Sequence, residues 1–359
     1  IYTLSLHDAL PISIWSDGLL NKTEVRITKN KQGNSFFYPE SIQFDSENIV
    51  EANYRPFCKQ NLYWQRNVIE RPSLSDKIFP IVNNKSKNEV LFNRVICISG
   101  KADGLSVMMA DNISDLHYVG DTTLFSLYYY KEKEKSVHLS LFDDEQAAEF
   151  TQLDGITDWI IEQVRDKYKD KEKRISKEDV FYYVYGILHS EDYRRKYKND
   201  LAQSLPWIPL VEEMKDFKAF VAAGRELADI HLNYEIQGSY PGVVVEGEES
   251  GNFIVTKMRY ETINGEQHRE TIIYNEDITI RNIPLEAYNY VINSFPAIHH
   301  ILDRYCIRTD IKGSGIINDP NDWAIEHNNP RYILDLLLSV INLSMKTLEI
   351  VKNLPQLHY

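Results

Sequence analysis

The stretch RYILDLLLSVINLSMKTLEIVKNL (331–354) limits the fold more than any other, because its length and apolar periodicity leave room only for a long helix. Asn329 is expected to cap it, with Pro330 in the first turn, where a missing N–H does no harm. A second firm signal lies upstream. NFIVTKMRYETI (252–263) and EQHRETIIY (266–274) flank Asn264-Gly265, a pair that supplies the two positive-φ positions of a type I′ hairpin turn. Pro241 and GEESG (247–251) interrupt any regular element before it.

Between residues 157 and 234 the texture is helical. TDWIIEQVRDKY (157–168) sets Ile160, Ile161, Val164 and Tyr168 at helical spacing. ISKEDVFYYVYGILHS (175–190) opens with Ser176 and Asp179, the spacing of a capping box, and Ser190 is placed to cap EDYRRKYKNDLAQ (191–203). DFKAFVAAGRELADIHLNY (216–234) predicts a helix with Phe217, Phe220, Val221, Leu227 and Ile230 in its core stripe. Before residue 150 the apolar runs are strand-length. NRVICIS (93–99) and SVMMAD (106–111) read as buried strands joined by GKADG (100–104); LFSLYYY (124–130) reads as a third, with KEKEK (131–135) as a surface turn. The fold class that results is α+β: small mixed sheets, a helical middle, a β-hairpin and a long C-terminal helix. Two parts are expected, a mixed segment over 13–150 and a helical and hairpin region over 151–359.

Residues 1–12, IYTLSLHDALPI, stand outside this reading. They lack an initiator methionine and the layout of a signal peptide, and they match the translation of a short-read sequencing adapter at every position. From about Ser13 onward the chain is therefore expected to be the C-terminal piece of something larger.

Composition narrows the function classes. Cys58, Cys97 and Cys306 are widely spaced, which suggests neither a zinc site nor a disulfide framework and makes a reduced cytoplasm the default. With no apolar run of about 18 residues, no membrane span is expected. A net charge of −13 argues against nucleic acid as a partner of the whole surface, yet phosphates respond to charge within a Debye length of about 10 Å, so local clusters matter more. No NPPY-type loop of an adenine amino-methyltransferase, GxxxxGK[ST] phosphate loop or GxGxxG turn occurs, and GKADG lacks the Lys-Ser/Thr pair of a phosphate cradle. No HExxH occurs, and the adjacent His299 and His300 diverge by about 100° on a helix and cannot share a metal.

Binding chemistry is better represented. Lys22, Arg26, Lys29 and Lys31 face one acid, Glu24; the run 165–177 holds seven basic side chains against three acidic ones; Arg194, Arg195, Lys196 and Lys198 cluster beside Tyr193 and Tyr197. Such clusters neutralise phosphates, or they are solvated helix faces. In the hairpin, Lys257, Arg259, His268 and Arg269 are expected near the tip, with Lys257 and Arg259 on one face, where a two-stranded ribbon enters a major groove and Arg grips guanine; an ordinary exposed hairpin is the alternative. TDIKGSGIINDPNDW (309–323) offers Lys312, Asn318 and Asn321 to DNA, or is a rigid connector over Trp323. Arg55, in YRPF (54–57), either pairs an acid or meets phosphate.

Several stretches resemble the C-terminal specificity region of type ISP restriction–modification enzymes: YRPFCKQNLYW (54–64), DLHYVGDTTLFSLYYY (115–130), ISKEDVFYYVYGILHSEDYRRKYKNDL (175–201), AGRELADIHLNYE (223–235), TIIYNEDITIRNIPLEAYNYVIN (271–293), DRYCIRTD (303–310) and GIINDPNDWAIEHNNPRYILDLLLSVINLSMKTLEIV (315–351). They follow the family's order, with Ser126 where the family usually has proline. The resemblance implies a DNA target-recognition module that presents double-stranded DNA to an adenine-specific methyltransferase upstream in the same polypeptide and licenses an ATP-driven nuclease. It implies no catalytic residue and no cofactor in this chain; S-adenosylmethionine, ATP and magnesium would serve the upstream parts. Residues offered to DNA are Lys29, Lys31, Arg55, Arg194, Arg195, Lys198, Lys257, Arg259, Arg269 and Lys312. A protein-interaction scaffold and a remnant methyltransferase are the competing readings.

Overall fold

A computed structural model describes residues 26–27, 36–37, 46–64, 75–84, 87–101, 104–133, 150–309, 315 and 317–357. They form an α+β structure divided into two compact units. The first takes in residues up to 55, 59–95 and 110–155; the second takes in 56–58, 96–109 and 156–359, so the units are not consecutive stretches of sequence. The adapter-like segment 1–12 and the cluster lysines 22, 29 and 31 lie outside the described residues, as does Lys312.

The first unit is built from short antiparallel pairs, among them Tyr128–Glu132 with Phe150–Asp154 and Ile81–Asn84 with Lys87–Val90. Asn93 braces it. Fully buried, its Nδ2 donates to the carbonyls of Ile78 and Tyr128, both at 2.7 Å, and its Oδ1 accepts from the amides of Arg94 and Tyr128. A buried amide with every lone pair and proton used stiffens the packing instead of weakening it. LFSLYYY is not one strand. Thr123–Ser126 and Tyr128–Glu132 are separated at Leu127, whose amide donates to Arg94 and whose carbonyl accepts from Gly155. The expected turn at KEKEK also moves, since Tyr128–Glu132 carries the strand through the first two of those residues.

The second unit holds the helices α1 (Asp158–Lys167), α2 (Lys177–His189), α3 (Glu191–Lys196) and α4 (Met214–Leu232), of which α2 and α3 begin at the expected caps Ser176 and Ser190. Thr157 accepts from the amide of Ile160, Ser176 and Asp179 complete a capping box, and Ser190 accepts from Tyr193. In α1, Ile161 and Val164 are buried but Ile160 is not: next to Ile161 on the helix, it is turned about 100° off the stripe. Helices α2 and α4 pack at their glycines. A Cβ on Gly224 would lie 1.9 Å from the Tyr182 carbonyl oxygen, and one on Gly186 would lie 2.4 Å from that of Phe220. Only glycine permits backbones so close.

A four-stranded antiparallel sheet follows, with strands β1 (Val244–Glu246), β2 (Arg259–Ile263), β3 (Glu266–Ile273) and β4 (Thr279–Arg281) in the order β1-β4-β3-β2. Asn264 and Gly265 join β2 to β3 with φ of 53° and 86°, the two positive values the turn requires. Helices α5 (Ala297–Arg304), α6 (Asn321–Glu326) and α7 (Tyr332–Lys352) complete the unit. The long helix starts two residues later than expected: Arg331 is its N-cap and no side chain caps it. Asn329 is drawn back toward α6 instead, its amide donating to the Ala324 carbonyl. Helix α7 buries residues on nearly every side, from Leu334 and Leu337 to Ser344 and Thr347. Among the described residues no helix is long and apolar enough to cross a membrane.

Where α2, α4 and α7 meet, the core turns polar. His231 is fully buried; its Nδ1 lies 2.6 Å from the Tyr185 hydroxyl, and its Nε2 lies 3.0 Å from Thr347 Oγ1 and 3.2 Å from the Tyr290 hydroxyl. Tyr290 also stacks on the His231 ring. His189 packs 5.5 Å from His231, ring to ring, with its Nδ1 on the Tyr185 carbonyl. Burial, with the Arg194 guanidinium nearby, holds His231 down to about 3, and the same causes hold His189 well below the usual range.

Candidate nucleic-acid interface

Of the cations in α3, Arg194 turns inward. Its Nε donates to the Leu188 carbonyl at 2.7 Å, and its guanidinium is the charge that acts on the His231 and His189 rings. Arg195 is exposed and pairs with Asp192 one turn before it. Lys198 is exposed, and Lys196 lies 5.5 Å from the Tyr197 ring centre. With Arg194 half-buried and its Nε on the Leu188 carbonyl, the exposed Arg195, Lys196 and Lys198 are balanced by Glu191, Asp192 and Asp200.

The run 165–177 is largely spent on its own structure. Arg165 closes the loop after α1 by donating from Nε and Nη2 to the Ile175 carbonyl, Lys167 pairs with Glu212, Lys173 with Glu162, Arg174 with Glu172 and Lys177 with Asp158. Lys169 and Lys171 are exposed and have no ion pair among the described residues. In the first unit, Arg55 takes the first of its two alternatives: it pairs with the buried Asp115 at 2.5 Å and covers the Tyr54 ring at 4.0 Å.

The hairpin differs. Lys257, Arg259 and Arg269 are exposed, and none of them has a carboxylate partner among the described residues. Arg281, one strand away, is by contrast held by Glu246 and Glu261. The pairing of β2 with β3 also breaks. Tyr260 faces Ile272 but Glu261 faces His268, so Arg269, Glu270 and Thr271 face no residue of β2. The loosened backbone is caught from outside the hairpin, where the Tyr288 hydroxyl donates to the Arg269 carbonyl at 2.7 Å and the Ile283 amide donates to that of Glu270 at 3.0 Å. The Arg269 guanidinium then sits 6.0 Å and 5.8 Å from the ring centres of Tyr260 and Tyr288. A bulge of this kind re-aims a side chain, and two aromatic faces restrict its motion while leaving its donors to solvent.

Two expectations about this hairpin are corrected. Strand β2 begins at Arg259, so Lys257 precedes the alternation that was to place it beside Arg259; residues before β2 bond elsewhere, Val255 to Asn321 and Thr256 to Ile307. Lys257 and Arg259 therefore stand at the base of the hairpin, Arg259 opposite Ile273, and not at its tip. Asn321 is buried and reads the Val255 backbone with both ends of its amide, a structural task, while Asn318 is exposed in a two-residue strand. Trp323 stacks on His327 and meets Tyr332 at a tilt beside the connector. Tyr260 and Tyr288, which orient Arg269, escaped sequence reasoning; Tyr260 alone carried a signal, as an aromatic inside the hairpin strand.

The sequence matches the Type ISP C-terminal specificity domain over residues 15–336. No curated protein matches it. Among solved structures, the chain is similar to an ATP-dependent Type ISP restriction-modification enzyme, LlaBIII, bound to DNA, at 34% identity and a TM-score of 0.75, covering 89% of this chain and 19% of that one. It is similar to a nuclease-deletion mutant of the Type ISP restriction-modification enzyme LlaGI in complex with a DNA substrate mimic, at 37% identity and a TM-score of 0.70, covering 89% and 26%. It is also similar to the DrdV–DNA complex, at 25% identity and a TM-score of 0.68, covering 89% and 30%. The chain thus spans less than a third of the length of each of these proteins. A match that takes in helices α1 to α6, the bulged hairpin and the start of α7 leaves one conclusion: this chain belongs to the Type ISP C-terminal specificity domain family.

Proposed function

We propose that this chain recognises a short duplex DNA site for a Type ISP restriction–modification enzyme. The observation that carries the reading is the family match over 15–336, which encloses the whole hairpin and its three exposed, carboxylate-free cations. The hairpin supplies what base reading needs: a two-stranded ribbon of a width that enters the major groove, and an arginine held by aromatic faces with its guanidinium fork free to grip guanine. In this reading the chain presents its site to an adenine-specific methyltransferase upstream in the same polypeptide, and S-adenosylmethionine, ATP and magnesium act in those upstream parts, in the cytoplasm. The DNA or DNA mimic held by the similar enzymes supports DNA as the partner.

Fluorescence anisotropy with a pool of random duplexes, at low and at physiological salt, tests it. Selective retention of a subset of duplexes by the unaltered chain is expected. An R259A/R269A variant should lose the selection and keep a weaker, sequence-blind affinity. A folded chain that binds no duplex at low salt would end the proposal. The scaffold reading draws on the net charge of −13 and on Trp207, 82% exposed, and would prevail if a W207A variant lost contact with the upstream methyltransferase while duplex binding was absent throughout.

A further inference from the structure

A cleft of about 630 Å³ opens in the second unit between the loop that joins α1 to α2 and the first turns of α4. Its wall is apolar, made by Tyr168 and Ile175 on one side and Met214, Phe217, Val221 and Ala222 on the other. The wall is rigid: Tyr168 donates its hydroxyl to the Val211 carbonyl at 2.7 Å and leans on Phe217 with ring centres 5.1 Å apart.

Charge around the cleft is unbalanced in a specific way. Each carboxylate that lines it has work to do elsewhere. Asp170 accepts the Ile175 amide at 2.7 Å, Glu172 pairs with Arg174, and Asp179 serves the capping box of α2 and the Arg225 guanidinium. Lys169, Lys171 and Lys218 also line it, are exposed, and have no ion pair among the described residues. The first turn of α4 contributes Met214 and Phe217, and its Asp216 offsets the positive end of that helix, so the positive charge at the cleft is that of the three lysines.

A bare inorganic anion would satisfy the lysines and leave the apolar wall in water. A neutral apolar molecule would cover the wall and leave three ammonium groups without a counter-charge. One ligand class uses both halves: an aromatic base lies against the wall while its phosphate meets the lysines. The volume falls within the roughly 300–1,000 Å³ typical of small-molecule sites. We infer that this cleft binds a nucleoside phosphate, supplied either as a free nucleotide or as a nucleotide of an unpaired DNA strand. This site is separate in its residues from the hairpin and does not depend on duplex recognition.

Isothermal titration of the full chain with dAMP, with oligo-dT and with inorganic phosphate tests it, alongside a K169Q/K171Q/K218Q variant and an A222W variant that fills the wall. The unaltered chain should bind dAMP or oligo-dT at least about tenfold more tightly than inorganic phosphate, and each variant should weaken that binding about tenfold or more while melting at the unaltered temperature. Binding of oligo-dT without dAMP assigns the ligand to a strand; binding of both admits the free nucleotide. Equal binding of phosphate and nucleotide, no binding of either nucleotide form, or binding indifferent to all four substitutions overturns the inference. Duplex titration of the same variants keeps the two sites apart: cleft variants that still select duplexes separate a failure here from a failure of target reading.

Discussion

Helix α3 and the β2–β3 hairpin carry cations at similar density and use them in opposite ways. In α3 the first arginine is half-buried and acts on two histidines, the second pairs with its own helix, and the rest are offset by neighbouring acids. In the hairpin Lys257, Arg259 and Arg269 stay in water without carboxylate partners among the described residues, and the one at the break in strand pairing is steadied by aromatic rings instead of by acids. A cluster of basic residues is therefore a different object depending on what lies behind it. Arginine against a carboxylate has already met its anion; arginine against tyrosine has not.

The largest effect expected from this contrast lies on the inward side. His231 is neutral in the fold, held down to about 3, against about 6.5 in an unfolded chain. Its contribution is complete above about pH 6.5 and is lost as the pH falls toward 3, up to roughly 5 kcal/mol, because the unfolded chain takes up a proton that the fold refuses. Urea denaturation at a series of pH values measures this. Arg194→Met should reduce the slope and leave most of it, since burial outweighs the guanidinium as the cause; a slope identical to that of the unaltered chain would break the assignment of Arg194 to the histidine pair.

Next in size is Gly224→Ala. Alanine improves helix propensity by about 1 kcal/mol, but its Cβ would meet the Tyr182 carbonyl oxygen at 1.9 Å, and backbone does not yield as a side chain does. A net loss of about 3 kcal/mol is expected in chemical denaturation, with duplex affinity of the folded protein unaltered. Stabilisation would show that α2 and α4 do not cross at their glycines.

A smaller effect, on binding alone, is expected from R259A/R269A: about 30-fold weaker binding to the preferred duplex, near 2 kcal/mol, with the melting temperature unchanged. Tyr288→Phe should produce part of that loss, because it removes the hydroxyl that holds the Arg269 carbonyl and keeps the ring. The smallest effect belongs to R195A/K198A, which should alter duplex affinity by less than about twofold, since Arg195 is already paired with Asp192 and Lys198 is offset by the neighbouring Asp200. If that variant bound tenfold more weakly and the hairpin variant bound normally, the comparison would be inverted and α3 would be the DNA-facing element.

Much of the secondary structure was legible from local rules. Ser176 with Asp179 and Ser190 before Tyr193 announce helix starts because the cap and the amides it satisfies lie within three residues. Asn264-Gly265 announces its turn because few other pairs accept both positive φ values. Local rules also misled. Asn329 has the right chemistry to cap α7, yet it is held by α6, and LFSLYYY has the composition of one strand but is divided by bonds to Arg94 and Gly155. The candidate site was legible only in part. Arg259 and Arg269 were visible as basic residues in a hairpin, whereas Arg194 looked equivalent to them and is not.

What the sequence determined by itself is the α+β class, most helix starts, the hairpin turn and the family, all of which rest on residues close together in the chain or on the order of its segments. What only the tertiary structure decided is the fate of each charge. The polar core joins His231 to Thr347 across 116 positions, the bulge at Arg269 is held by Tyr288 from 19 positions away, and the cleft unites the loop after α1 with α4. Whether a cation is free depends on the groups that surround it, and those arrive from parts of the chain that no local pattern connects.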